Sequence, residues 1–337
     1  MWNVIKVTIL LSLLLLFACK EKHKKFTSRK PQSIEKRAYK DTLVPLDSLN
    51  LSKVDLYESG TLRINKTHLF VKGKDKIVII SKDNFDNHKT ITFKKGKGPQ
   101  EILQLESFDV RDSLLTVLDE RQNKVLTYRL PNVFEGENKF NKVMPHRIRI
   151  LNRNSYLLFA PASSEYLFNE VNTKKGEVFR FGKLPLNHNL LVFEGYIDVK
   201  NNNIYYAGFS EPMLKKYSLD GDLLYSVATI DNYDTEANYV KSEDGNNLMI
   251  GFTPAAQFST AGFDIFNNYW FIIPYRLDNK LTGELDIYNK HSGKYLGTVD
   301  GLKARTRKIR ADDNFIYAIS QSQGDYVLTR YKNTIQF

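Results

Sequence analysis

Residues able to do acid–base chemistry are spread thinly over this 337-residue sequence. The histidines form no H-E-x-x-H zinc pair, no Gly-x-Ser-x-Gly elbow presents a nucleophilic serine, and the single Cys excludes a disulfide framework or a Cys-based zinc site. A histidine and a carboxylate brought together by folding could still act as a general base and its partner. The candidates are His146 or His188 as the base and Glu101 as the partner. We expect no catalytic residues, metal or cofactor, and keep a hydrolase or lyase as the alternative.

A glycine-rich hexapeptide, Gly96-Lys97-Gly98-Pro99-Gln100-Glu101, invites comparison with phosphate-binding loops. A P-loop needs four residues between its glycines, followed by Lys and Ser or Thr at the start of a helix, and this segment has neither feature. We interpret it as a tight loop in which glycine adopts positive φ and Glu101 accepts hydrogen bonds from nearby backbone amides.

The positive charge is concentrated near the N-terminus. The formal net charge is +11, but residues 20–40 hold nine Lys and Arg against Glu21 and Glu35, and everything from Asp41 onward carries only +3. Nucleic-acid binding requires a basic surface on the fold itself, so we expect no nucleic-acid partner.

The N-terminus has the features of a secretion signal. Residues 7–18 form a twelve-residue apolar run after Lys6, too short to span a bilayer but suited to a signal peptide. The sequence Leu16-Phe17-Ala18-Cys19 resembles the lipobox of bacterial lipoproteins, which implies lipidation of Cys19; a core helix with a buried thiol is the alternative. We therefore expect a signal peptide over 1–18 and a lipidated Cys with a flexible basic linker over 19–40. The expected location is the outer membrane, with the periplasmic face and the cell surface both left open.

Beyond residue 60, short apolar runs alternate with polar turns rich in Asn, Asp and Lys. A strand, a turn and a second strand recur six times, at 61–71, 107–119, 147–160, 196–208, 262–273 and 307–320. A third strand follows each time, ending at Ile80, Tyr128, Val171, Tyr217, Tyr288 and Tyr331, and most units continue into a fourth. Four antiparallel strands every 40–50 residues are typical of propeller blades. The sequence therefore predicts an all-β fold, a six-bladed β-propeller of four-stranded antiparallel blades over 41–337, in which Tyr205, Tyr206, Trp270 and Phe271 pack between blades.

Two segments depart from the repeat. The sixth unit has only residues 333–337 after its third strand, so its outermost strand is either this stub or a donation from 43–58. Tyr217 and Tyr288 are 71 residues apart where the adjacent intervals are 46 and 43, which predicts a long loop insertion over 228–260.

The links between successive blades all lie on one face of a propeller, around the mouth of its channel. In this sequence they hold Lys97, Glu101, His146, His188, Tyr239 and Arg305, which we take as candidate binding residues. Our leading interpretation is a monomeric, membrane-anchored module that holds a protein or glycan partner on this face. The alternative is an envelope or extracellular hydrolase or lyase at the channel mouth.

Together, the lipobox, the six units and the segment Gly96, Gly98, Pro99 and Glu101 resemble the TolB-like six-bladed propeller lipoproteins of Gram-negative bacteria. The resemblance covers residues 40–337 and implies the fold and the compartment, but no reaction. Gln100 stands where that family usually has glycine.

Overall fold

The computed structural model describes residues 37–337, apart from residues 59, 141–142, 162–164, 185–189, 232–238, 245–246, 254–255 and 277–279. Two strands precede the repeat units: β1 (Tyr39–Thr42) and β2 (Pro45–Asn50). A short 3-10 helix, Leu51–Val54, leads from β2 into the first unit.

Each of the first three units forms a four-stranded antiparallel sheet, and each sheet is one blade. Blade 1 consists of β3 (Leu62–Ile64), β4 (His68–Lys72), β5 (Lys76–Ser81) and β6 (His88–Thr92). Blade 2 consists of β7 (Ser107–Arg111), β8 (Leu114–Asp119), β9 (Lys124–Arg129) and β10 (Val133–Lys139). Blade 3 consists of β11 (Arg147–Asn152), β12 (Ser155–Phe159), β13 (Tyr166–Asn172) and β14 (Glu177–Lys183).

The remaining units form three more blades, with a two-stranded hairpin inserted between blades 4 and 5. Blade 4 consists of β15 (Gly195–Lys200), β16 (Asn203–Gly208), β17 (Met213–Ser218) and β18 (Leu223–Ala228). The hairpin consists of β19 (Tyr239–Asp244) and β20 (Asn247–Phe252). Blade 5 consists of β21 (Thr260–Phe266), β22 (Tyr269–Pro274), β23 (Leu285–Asn289) and β24 (Tyr295–Asp300). Blade 6 contributes β25 (Thr306–Ala311), β26 (Phe315–Ser322) and β27 (Asp325–Lys332).

The turns between strands explain why the chain reverses where it does. Asn201 and Asn202, with φ of 49° and 56°, form the two-residue turn between β15 and β16. Asparagine tolerates this left-handed region, and two successive positive φ values match the twist of a β-hairpin. The polar turns therefore separate the apolar strands at the places predicted from the sequence.

The N-terminal segment closes the ring. β2 pairs antiparallel with β27 and supplies the fourth strand of blade 6, with Leu49 opposite Leu328. Of the two ring closures compatible with the sequence, the structure therefore has the donated N-terminal strand and not the stub at 333–337. A six-bladed β-propeller is the fold of this protein, as predicted.

A fifth strand extends blade 5 beyond the expected start of the folded region. β1 pairs in parallel with β24, and the Arg37 guanidinium forms a two-point contact with the Asp286 carboxylate at 2.9 and 3.0 Å. The last residues of the predicted linker thus contact blade 5, because the edge of β24 and a buried carboxylate both provide partners for them.

The apolar core lies between the blades. Six clusters of buried side chains occur among the described residues, one at each contact between neighbouring blades, including that between blades 6 and 1. Tyr205, Tyr206, Trp270 and Phe271 are all at most 1% exposed within these clusters. Each blade thereby buries both of its faces against its neighbours.

Candidate functional site

The strand directions place the links between blades on one face, called the loop face here. Each innermost strand starts at the loop face and runs to the opposite face, and the connections between second and third strands return to the loop face. The innermost strands β3, β7, β11, β15, β21 and β25 surround the central channel.

One charged residue from the middle of each innermost strand meets the others at the centre of the molecule. These six residues, called the charge ring, are Arg63, Asp109, Arg149, Asp198, Asp264 and Arg310, and all are buried. Three positive and three negative side chains make the ring neutral as a set.

Ion pairs between different blades connect the charge ring. Arg63 Nε lies 2.9 Å from Asp109 Oδ1. Arg310 contacts Asp198 at 3.5 Å and Asp264 at 3.3 Å. Removing one partner of such a buried pair leaves an uncompensated charge, so the ring ties the blades together at the axis.

Backbone groups also hold the acidic members of the ring. Asp109 accepts a hydrogen bond from the Ile150 amide at 2.8 Å, and Asp264 accepts one from the Ala311 amide at 2.7 Å. Burial raises the pKa of Asp109 to about 7, and the charge of Arg63 opposes this rise. The two carboxylates thus link blade 2 to blade 3 and blade 5 to blade 6.

A second layer of residues lines the channel next to the charge ring. Each of its members stands two positions before a charge-ring residue, because every second side chain of a strand points to the same side. Its members are Thr61, Ser107, Arg147, Tyr196, Gly262 and Lys308. Three of them are small, and the layer surrounds a cavity of about 40 Å³. A side chain at Gly262 would meet the Arg307 carbonyl, because a Cβ there would lie 2.3 Å from that oxygen.

The large residues of this layer, Arg147, Tyr196 and Lys308, form with the neighbouring Arg307 a site that we call the cationic mouth. The Arg147 guanidinium lies 4.9 Å from the centroid of the Tyr196 ring, and Lys308 Nζ lies 5.5 Å from the same centroid. Both cations therefore use one aromatic ring as a partner. Arg147 also donates a hydrogen bond to the Gly195 carbonyl at 2.6 Å.

The cationic mouth carries a net positive charge. Burial lowers the pKa of Lys308 to about 7, and the positive charges of Arg147, Arg307, Arg63 and Lys72 lower it further in the same direction. Among the described residues, neither Lys308 nor Arg307 has a carboxylate within ion-pair distance. An arrangement of this kind can attract an anion.

His146 and two glutamates form a second cluster at the edge of the mouth. His146 Nδ1 lies 2.7 Å from Glu194 Oε1, and His146 Nε2 lies 3.8 Å from Glu120 Oε1. The hydrogen bond to Glu194 raises the pKa of His146. Burial alone would raise the pKa of Glu194, but the bond to His146 and the charge of Arg147 lower it. A histidine held in its charged form is a weaker general base at neutral pH.

Glu101 does not pair with His146. It accepts a hydrogen bond from the Gly98 amide at 2.8 Å and forms an ion pair with Lys94 at 2.8 Å. A Cβ at Gly96 would lie 2.0 Å from Glu101 Oε2, so a side chain there would displace the Glu101 carboxylate. Gln100 lies in the left-handed region with a φ of 63°, whereas Gly96 and Gly98 do not, so the expectation that glycine adopts positive φ in this loop is wrong. Glu101 therefore bonds within its own loop, and the catalytic pairing considered from the sequence is not the one observed.

The other residues proposed from the sequence are dispersed. Lys97 lies in the link before blade 2, two residues ahead of Pro99, and Arg305 lies in the link before blade 6. Both residues are exposed. Tyr239 begins β19. Cys19 and His188 lie outside the described residues.

An aromatic patch, Phe209, Phe252, Phe258 and Tyr275, attaches the insertion to blades 4 and 5. The Phe209 and Phe258 rings stack with centroids 4.6 Å apart, and Tyr275 lies 5.7 Å from Phe258. All four side chains are half-buried. Burial raises the pKa of Tyr275, and the charge of the nearby Arg307 opposes this rise. The patch therefore lies beside the cationic mouth.

Sequence reasoning overlooked Arg147, Tyr196, Lys308 and Glu194. A signal was present in the sequence, because Arg147 alternates with Arg149 in one predicted strand and Lys308 alternates with Arg310 in another. Charged residues at alternate positions of an innermost strand indicate a polar channel.

Two further observations concern metals and membranes. Within the described part of the chain, no three His, Cys, Asp or Glu side chains are grouped so that they could hold a metal ion. The helices described there are all too short or too polar to cross a bilayer.

Comparisons with known proteins agree with the fold. Residues 60–226 match the model of the family DUF5128, described as a 6-bladed beta-propeller. A search of curated proteins found no significant match.

Several solved structures are similar. A DUF4221 family member from Bacteroides vulgatus has a TM-score of 0.59 at 12% identity, covering 86% of this chain and 97% of its own. A protein of Bacteroides fragilis described as exported has a TM-score of 0.55 at 11% identity, covering 90% and 98%. The Cps50 (Swd1) β-propeller domain of Myceliophteria thermophila has a TM-score of 0.51 at 13% identity, covering 87% and 100%. At these identities the likeness concerns the fold alone.

Proposed function

We propose that this protein is a binding module that holds a protein or glycan partner on its loop face. The observation that carries the proposal is the position of the half-buried aromatic patch beside the cationic mouth. Aromatic rings provide large contact areas, and unpaired cations provide electrostatic complementarity to an acidic partner. The propeller supports both features on rigid strands.

We further propose that the module is anchored in the outer membrane through a lipid on Cys19, with residues 20–36 as the tether. The lipobox-like sequence supports this part of the proposal, as does the name of the similar Bacteroides fragilis protein, which calls that protein exported. We also propose that the protein is related to the TolB-like propeller lipoproteins and that it is a monomer.

The hydrolase or lyase alternative has His146 or His188 as the general base and Glu101 as its partner, and a histidine and a carboxylate in contact at the channel mouth would favour it. Glu101 pairs with Lys94 and Gly98, and His146 pairs with Glu194. His146 does meet two glutamates at the mouth, but the bond to Glu194 raises the pKa of the imidazole and makes it a weaker base at neutral pH, so we favour binding over catalysis.

Removing the inserted hairpin tests the binding proposal. Residues 240–251 would be replaced by Gly-Ser-Gly, which retains the Asp231 contact to Arg37 and the packing of Phe252 and Phe258 on the aromatic patch. Because the hairpin pairs only within itself among the described strands, the variant should keep its β-rich circular dichroism and thermal midpoint. The hairpin ends at Phe252 of the aromatic patch, so its removal takes away contact surface next to the patch. Capture of envelope components by the immobilised protein should therefore fall about tenfold, corresponding to about 1.4 kcal/mol of binding free energy.

The matched control is Lys89→Glu on β6, an exposed outer strand far from the aromatic patch in the ring. This variant should retain the components that the unaltered protein captures. Undiminished capture by the hairpin variant would contradict a role for the insertion, and loss of the fold would show that the insertion is part of the propeller scaffold.

A further inference from the structure

The two layers of the channel differ in how their charges are balanced. The charge ring pairs its three arginines with three aspartates. The cationic mouth, on the loop-face side of the charge ring, does not pair its positive charges with carboxylates in this way. Its Lys308 is nevertheless half-buried. Its Nζ contacts the Tyr196 ring, but among the described residues it has no hydrogen-bond acceptor or carboxylate. A partly buried cation without a counterion is costly, and a bound anion would remove that cost.

The size of the cavity limits what can enter. Its volume of about 40 Å³ is above the roughly 10–15 Å³ that a cavity needs to hold one water molecule, so a small polyatomic group has room there. A compact acidic group can therefore enter from the loop face. The remainder of a larger ligand would stay on the loop face, where the aromatic patch lies.

We propose that the cationic mouth binds a compact oxyanion, the acidic group of the ligand held on the loop face. This inference rests on the proposed binding function and adds the chemical class that the ligand must present. Arg147 and Arg307 supply planar guanidinium donors, which suit carboxylate, phosphate and sulfate oxygens, and Lys308 supplies a point charge beside them.

Binding should depend on pH in a defined direction. Lys308 is faced by Arg147 from β11, Arg63 from β3, Lys72 from β4, Tyr196 from β15 and Arg307 on its own strand. These neighbours and its burial lower the pKa of Lys308 to about 7 in the free protein. A bound anion favours the charged ammonium, so binding takes up protons at pH 7–8 and weakens as the pH rises further.

Isothermal titration of the folded chain with sulfate tests the proposal, because sulfate keeps a constant charge between pH 6 and pH 9. We expect a dissociation constant on the order of 1 mM at pH 7 and a threefold to tenfold loss of affinity, roughly, by pH 8.5. Lys308→Gln and Arg307→Gln should each weaken binding about tenfold. Lys89→Gln, which removes an equivalent charge from exposed β6, should bind sulfate like the unaltered protein.

Acetate distinguishes the kind of acidic group. Tighter binding of sulfate supports a phosphate- or sulfate-bearing ligand, and tighter binding of acetate supports a carboxylate-bearing one. Failure of both to bind, or equal affinity in the Lys308→Gln and Arg307→Gln variants, would overturn the inference. Arg307 is exposed, so its substitution tests the site even if Lys308→Gln fails to fold.

The outcome is separable from the proposed function. Absence of oxyanion binding together with hairpin-dependent capture of a partner would refute this inference alone. Oxyanion binding without capture of any partner would refute the broader binding module and leave the anion site standing.

Discussion

At the scale of single residues, the contact between His146 and Glu194 joins two links of the loop face. His146 directly precedes β11 and Glu194 directly precedes β15, so their ion pair connects blade 3 to blade 4. Each group shifts the other toward its charged form: the pKa of His146 is raised and the pKa of Glu194 is lowered. The pair therefore stabilises the fold in a pH-dependent manner.

His146→Gln should lower the free energy of unfolding by about 0.5–1 kcal/mol near pH 6, because the pair is partly exposed. The histidine contribution is complete below its ordinary pKa of 6.5 and is lost as the pH rises through its raised value. The glutamate contribution is present above 4.5 and is lost as the pH falls through its lowered pKa. Urea unfolding of the unaltered protein and of His146→Gln at pH 6 and pH 9 would measure how the loss of unfolding free energy depends on pH.

A suitable control is His88→Gln on exposed β6, where the imidazole contacts the Asp86 carbonyl. This substitution should change stability little at either pH. If His146→Gln lowered the free energy of unfolding equally at pH 6 and pH 9, the ion pair with Glu194 would not contribute to stability.

At the scale of elements, β2 closes a ring whose other strands follow one another in sequence. It bonds to β27 and buries Leu49 in the cluster between blades 6 and 1, where Leu328 and Tyr317 also pack. Without β2, the outer edge of β27 would be unpaired, and the start of the chain would not be joined to the last blade. The stability of the whole ring should therefore depend on this single strand.

Leu49→Ala should destabilise the protein by roughly 2–5 kcal/mol, because it removes a buried side chain from this closure. Leu46→Ala offers a matched control in the same strand: Leu46 is 52% exposed, whereas Leu49 is 6% exposed. Its effect should stay within about 0.5 kcal/mol. Chemical denaturation of the two variants would compare them directly, and equal effects would contradict the role of β2 as the closing strand.

At the scale of the whole molecule, the excess charge and the proposed anchor precede the six blades in the sequence. Residues 20–40 carry nine of the basic side chains against two acidic ones. Arg37 at the end of this segment pairs with Asp286 on blade 5, so the tether would leave the propeller at the outer edge of that blade. A lipid on Cys19 would then hold the propeller near the membrane without requiring the propeller to contact lipid.

Cys19→Ser should move the protein from the membrane fraction to the soluble fraction, since Cys19 ends the apolar run and is the proposed lipidation site. Lys22→Gln changes a charge three residues later and should remain in the membrane fraction. Fractionation followed by immunoblotting would measure the distribution. Membrane retention of Cys19→Ser would argue against the lipid anchor.

Local sequence patterns were sufficient to predict the strands, the six blades and the inter-blade packing of Trp270 and Phe271. This is because alternation, turn residues and repeat spacing act over a few residues or one blade. They also predicted that Glu101 bonds within its own loop, since its partner Gly98 is three residues away.

The tertiary structure decided which residues meet at the axis and which segment closes the ring. Arg310 contacts Asp198 from a position more than a hundred residues away, and β2 meets β27 from the opposite end of the chain. Alternation along a strand indicates that a side chain faces the channel, but it does not identify the residue that faces it from another blade. That pairing depends on the rotation and register of six separate sheets, which packing between blades sets only when the ring is complete.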